Sequence, residues 1–180
     1  YNNSIDICYG QSITDSILVR MGRGWDSWRV YNDAQLIQVQ PGLIGGNVNK
    51  KLAIFDRKIG PDPASIDTAK IGGILANNAS GMCCGIEQNS YQTLESMRIV
   101  LADGTHVDTA SDSSRSEFET SHGFILRALS QLRNRVLKDK QLRERIRYKY
   151  KIKNTTGYSL NDLIDFKDTY EIMSHLTIGS

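Results

Sequence analysis

The sequence predicts an α+β fold, a mixed or antiparallel sheet flanked by helices, and three stretches carry that expectation. Asp103-Gly104 stands between the apolar runs 94–101 and 106–109, where Asp-Gly signals a hairpin because its turn wants positive φ. From Asp112 to Tyr150 the residues Phe118, His122, Ile125, Leu126, Leu129, Leu132, Val136 and Leu137 recur at three- and four-residue steps, which is helical spacing. Between these signals and the front of the chain lies Gly60 to Gly85, which follows neither period. Two prolines fix φ near its start, and glycines follow where a backbone comes close to a neighbour with no Cβ in the way.

In chain order, Tyr1 to Tyr9 offers the least pattern. Ser16 to Met21 reads as a buried strand, and Arg23 to Trp28 as a turn or loose helical segment in which Trp25 and Trp28 share a face for packing. Ala34 to Gln40 alternates as a strand does and is stopped by Pro41-Gly42. Leu43, Val48, Leu52 and Phe55 then fall at near-helical spacing, so a helix is expected over residues 43–55. After the hairpin, Ser114 followed by Glu117 has the form of a capping box for the long helical stretch, and Gly123 is its expected break. Lys153 to Tyr158 is a polar turn pivoting on Gly157, and residues 168–176 suggest a short last helix.

Chemistry concentrates in the glycine-rich run. Ile71-Gly72-Gly73 and Ala76-Asn77-Asn78-Ala79-Ser80-Gly81 pair open backbone with small or amide side chains, a lining suited to a pyrophosphate or a carbonyl-rich ring system. Residues 65–69 and 72–76 would each start a helical turn and aim its positive end at an anion. A glycine-rich surface turn with no ligand is the competing reading, and spacing does not choose between them. Neither G-x-G-x-x-G nor G-x-x-x-x-G-K-[ST] occurs, which removes the main support for Rossmann and P-loop sites.

Composition sets wider limits. A chain of 180 residues with 39% hydrophobic and 23% charged residues suffices for one ordinary domain, or for two small lobes around a cleft. A net charge of +2 gives no general pull toward nucleic acid or membrane. The basic stretch from Arg133 to Lys153 is interrupted by Asp139 and Glu144 and lacks repeated aromatics, so a solvated helix face is favoured over nucleic-acid binding. Three cysteines, Cys8 and the vicinal Cys83-Cys84, argue against a disulfide framework and for a reducing, cytoplasmic setting. Their spacing and three scattered histidines do not make a zinc site. No apolar run approaches the roughly 20 residues that cross a bilayer, and association with the inner face of a membrane would need parts not present here.

Taken together, Gly60 to Gly85, Tyr91 to Thr109 and Lys153-Asn154-Thr155-Thr156-Gly157-Tyr158-Ser159-Leu160 resemble the FAD-binding domain of the vanillyl-alcohol oxidase and p-cresol methylhydroxylase (VAO/PCMH) superfamily. Within it they are most similar to FAD-dependent D-lactate and D-2-hydroxyacid dehydrogenases, the flavoprotein component of glycolate oxidase among them. The resemblance implies FAD as cofactor. Gly10, Gln11 and Ser12 would form a first phosphate loop, Pro61, Asp62, Ala64 and Ser65 a second, and Ile71, Gly72, Gly73, Asn77, Asn78, Ser80, Gly81 and Gly85 a third. Gly157, Tyr158 and Ile178 would follow toward the end, with Asn154 and Thr156 behind them. Asp62 is expected to cap its own turn or bond a ribose or ring N–H, and Arg57-Lys58 either adds positive charge near the phosphates or is plain surface. Cys83 and Cys84 are read first as reduced buried thiols, with covalent flavin attachment the other reading.

The resemblance also implies residues 1–59 as the remnant of a first lobe and 60–180 as a second lobe with a helical insertion over 112–150. Family elements are expected both before Gly10 and after Ser180, which makes the chain an FAD-binding fragment, inactive alone, of an active parent. Catalytic base, carboxylate-binding cations and a histidine-rich metal site are expected in a further domain; His106, His122 and His175 do not supply them, and no catalytic or metal-ligating residue is assigned in this chain. Implied partners are a 2-hydroxyacid substrate and an electron acceptor, a quinone, cytochrome or iron–sulfur module, with no nucleic acid. Two other readings stand beside the dehydrogenase: an NADPH-dependent reductase of an enolpyruvyl sugar nucleotide, and a non-enzymatic module that docks a partner through residues 114–150.

Overall fold

The computed structural model describes residues 21–22, 24–81, 85–152, 154 and 157–179. Gly10, Gln11 and Ser12, all three cysteines and all but the last residue of the strand expected over Ser16 to Met21 lie outside them; Met21 itself is in no strand. Two compact units meet in sequence between Thr93 and Leu94. That boundary differs from the lobe boundary drawn after residue 59.

The first unit begins with a hairpin of β1 (Trp28–Tyr31) and β2 (Leu36–Val39), paired antiparallel with Trp28 opposite Val39. Its turn holds Asn32, Asp33 and Ala34 at φ of 51, 51 and 62°, the left-handed region that Asn and Asp tolerate best. The turn takes Ala34 out of the expected strand, and Trp28 opens a strand rather than sharing a helix face with Trp25. Both tryptophans are exposed, and Lys51 lies over the Trp28 ring at 4.5 Å. After Pro41-Gly42 comes α1 (Gly45–Leu52), continued by a 3-10 turn over Ala53–Phe55. Leu43, Val48 and Leu52 are buried as their spacing predicts, whereas Phe55 is exposed. They form one core with Ala69, Ile71, Ile74 and Ala79, so the glycine-rich run is packed onto α1 through its apolar members. That run contains α2 (Ile71–Ala76), and α3 (Ser90–Thr93) closes the unit.

In the second unit, β3 (Arg98–Val100) pairs antiparallel with β4 (His106–Asp108) around the expected turn, where Gly104 has φ 86° and Asp103 Oδ1 accepts the Thr105 N–H at 2.9 Å. The long helix α4 (Asp112–Lys138) is capped by Ser111, whose side chain accepts from the Ser114 N–H, so Ser114 lies within the first turn and is not the cap. Its break falls on His122 (φ −126°, ψ 22°), one residue before the expected glycine. Asp139 then ends α4 and caps α5 (Lys140–Lys149) by accepting from the Leu142 N–H at 2.9 Å. Two short helices follow, α6 (Asp162–Asp165) and α7 (Thr169–Leu176). Phe118, Leu126, Tyr170, Met173 and Val107 form one apolar cluster, and Val136, Ile146, Leu163 and Ile172 a second. Two small antiparallel sheets with helices are the α+β content of the described residues.

Candidate functional site

In the first unit Pro61 to Ser65 runs as an open loop into the turn that ends at Ala69, whose N–H donates to Ser65 O at 2.7 Å. Pro61 is buried, and Asp62 holds Lys58 at 3.0 Å instead of capping the turn. The backbone N–H groups of Asp62, Ala64 and Ser65 have no acceptor among the described residues. Three open donors thus sit within four residues.

The start of α2 is more occupied than its sequence suggests. Ile71 N–H donates to Leu43 O at 2.9 Å and Gly72 N–H to Pro41 O at 3.0 Å, so the first two amides of the helix are spent on the segment before α1. A Cβ on Gly72 would lie 3.0 Å from Pro41 Cβ and 3.3 Å from Pro41 O, which is why glycine stands at this approach. Gly73 is buried, and its N–H has no acceptor among the described residues. An unpaired buried donor costs about 1–3 kcal/mol unless a ligand or water answers it.

Past α2 the chain turns at Asn78 (φ 40°), whose Oδ1 accepts the Tyr91 N–H at 3.0 Å. Asn78 is therefore structural, while the Asn77 amide side chain makes no hydrogen bond among the described residues. The N–H groups of Ser80 and Gly81 are likewise open, and Gly85 lies exposed at φ 54°.

Ser90 holds this turn in place, and sequence reasoning passed over it. Fully buried, its Oγ faces Ile74 O at 3.0 Å and Ala79 O at 3.3 Å, and its N–H donates to Ala79 O at 3.0 Å. Asn89 caps the short α3 beside it, its Oδ1 accepting from the Gln92 N–H at 2.9 Å. An Asn-Ser pair before a short polar run was the available signal. Replacing Ser90 with alanine removes a buried hydroxyl hydrogen bond while Ile74 O keeps the Ala79 N–H and Ala79 O keeps the N–H of residue 90, so Ser90→Ala is expected to lower unfolding stability by about 0.5–1.5 kcal/mol in a urea titration.

The second unit assembles the late candidates by its own contacts. The Tyr150 hydroxyl donates to Tyr158 O at 2.7 Å and accepts from Leu160 N–H at 3.0 Å and Asn154 Nδ2 at 3.2 Å. Ser159 Oγ donates to Ile178 O, and a Cβ on Gly179 would fall 2.8 Å from Gly157 O. Gly157, Tyr158 and Ile178 are thus neighbours, with Ile178 buried and Tyr158 exposed. Among the described residues no group of three or more His, Cys, Asp or Glu could hold a metal.

Five amides on two loops, with the buried Gly73 N–H making a sixth, present donors and almost no side-chain bulk, as a diphosphate requires. The family described as FAD binding domain matches residues 3–110, which include all of them. The chain belongs to that family. Its cofactor is FAD, and the fold is that of the VAO/PCMH-type FAD binding domain. Gly157, Tyr158 and Ile178 lie past the matched range. No curated protein and no solved structure matches the chain. FAD binding domains of this family usually serve flavin-dependent oxidoreductases, and the open donors fit the anionic centre of the cofactor. No helix among the described residues is long and apolar enough to cross a membrane.

Proposed function

We propose that this FAD binding domain serves a dehydrogenase that oxidises a D-2-hydroxyacid such as D-lactate and passes the electrons on to a quinone, cytochrome or iron–sulfur acceptor. The observation that carries the flavin half of the reading is the set of unpaired amides at Asp62, Ala64, Ser65, Gly73, Ser80 and Gly81. The substrate half is supported by the hydroxyacid-dehydrogenase wording of Gly60 to Gly85.

Bound FAD supplies the hydride acceptor. The chain's part is to hold and orient it. Asp62, Ala64, Ser65, Ser80 and Gly81 donate main-chain N–H groups to the diphosphate, and neutral donors suffice because each sits in a loop fixed by internal bonds. Gly72 lets the helix start lie against Pro41 without a side chain intervening. Asn77 offers an amide to a ribose or ring carbonyl.

The test is anaerobic mixing of the complete flavin-loaded protein with D-lactate, L-lactate and NADPH in turn. D-Lactate is expected to bleach the oxidised-flavin absorption band and L-lactate to leave it. Bleaching by NADPH alone would move the protein to the sugar-nucleotide reductases, and failure to take up FAD would remove the flavin reading itself.

A further inference from the structure

Residues 140–152 carry six basic side chains against one acid, Glu144, in a chain whose net charge is only +2. Ile146 is buried in the second unit's core and fixes which side of α5 faces inward. Two residues on, about 200° around the helix, Tyr148 points the opposite way and is 77% exposed. Ile152, in the segment past the end of α5, is 74% exposed. Arg145 stands three residues before Tyr148, the spacing of neighbours on a helical face, and Lys151 lies in the turn past the end of α5, its N–H facing Tyr148 O at 3.4 Å. Arg145, Lys149 and Lys151 are exposed and make no ion pair among the described residues, while Arg147 holds Glu144 at 3.0 Å.

We propose that the outward face of α5 and the turn that follows it, with Tyr148 and Ile152 as exposed apolar anchors and Arg145, Arg147, Lys149 and Lys151 as cations, form a docking surface for an acidic protein. Charge complementarity selects the partner: four cations, three of them without an ion pair among the described residues, beside exposed apolar side chains match the composition of protein interfaces, in which tyrosine and arginine are enriched. Nucleic acid fits less well, since one aromatic is not a stacking platform. A lipid surface needs a broad apolar stripe, and the apolar side of α5 is already turned into the core. The mount is firm, because the Tyr150 hydroxyl ties the end of the arm to Asn154, Tyr158 and Leu160 through three hydrogen bonds.

The complete, flavin-loaded protein is titrated with a labelled random copolymer of glutamate and tyrosine, and in parallel with short duplex DNA and phosphatidylserine vesicles. The copolymer is expected to bind most tightly, losing about tenfold in affinity between low and physiological salt. Tyr148→Ala with Ile152→Ser should weaken it at least about tenfold, the loss of both apolar side chains, with FAD content unchanged. Arg145→Glu with Lys149→Glu should abolish it. Absence of copolymer binding, copolymer affinity indifferent to the Tyr148 variant, or tighter binding to DNA or vesicles would each overturn the proposal.

Discussion

Asp162→Asn is expected to stabilise the protein at alkaline pH and to make little difference near pH 4. Asp162 is fully buried at the start of α6, and neither carboxylate oxygen has a hydrogen-bond partner among the described residues. Burial, with the charge of Asp165 adding to it, pushes its pKa from 3.8 up to about 8; the nearby Leu163 N–H pulls the other way without reaching bonding geometry to either oxygen. The folded chain therefore keeps a proton that the unfolded chain gives up near pH 4. Between those values the unfolded state binds fewer protons, so stability falls as pH rises from about 4 through about 8. The full effect is on the order of 5 kcal/mol, since each tenfold change in proton affinity is worth about 1.4 kcal/mol. Asparagine copies the protonated form at every pH and removes the slope. Urea unfolding of both proteins from pH 4 to 9 reads the gap directly, and a gap that does not widen with pH would contradict the assignment.

Gly60→Val is expected to weaken FAD binding about a hundredfold, or about 2.7 kcal/mol. A Cβ at this position would meet the Gln88 carbonyl oxygen at 2.8 Å and Thr93 Cγ2 at 2.7 Å. A backbone oxygen cannot swing aside as a flexible side chain does, so the loop that begins at Pro61 must move. With it move the open amides of Asp62, Ala64 and Ser65, and charge-assisted bonds of about 1.5–3 kcal/mol each are lost where the donors no longer reach the diphosphate. Flavin-fluorescence titration measures the affinity, and unfolding of the apoprotein separately reports the overpacking cost of about 1–3 kcal/mol. Wild-type FAD affinity in a merely destabilised variant would mean that the second loop does not touch the cofactor.

Local chemistry decided which parts of this architecture were legible. The β3–β4 hairpin was readable because Asp103-Gly104 meets a demand made inside the turn, and the buried spacing of Leu43, Val48 and Leu52 is a property of one helix. β1 was not, since its four residues are mostly exposed and show no alternation of polarity. The helix break was placed on Gly123 by composition, yet His122 takes the non-helical geometry, its ring stacked on Phe118 at 5.1 Å and bonded to Asp103 Oδ2 at 2.8 Å across nineteen residues of sequence. At the site, small residues announced accessible backbone. Which amides remain accessible was decided by Pro41 and Leu43, whose carbonyls claim two of them from far upstream. A local reading has no access to such a claim.

Residue 139 closes one helix with its backbone N–H, donated to Arg135 O, and opens the next with its carboxylate, which accepts the Leu142 N–H. The heading of the basic arm is therefore set at one joint and held there by Ile146 against Val136, Leu163 and Ile172, so a change at residue 139 that re-aimed the arm would have to undo that packing.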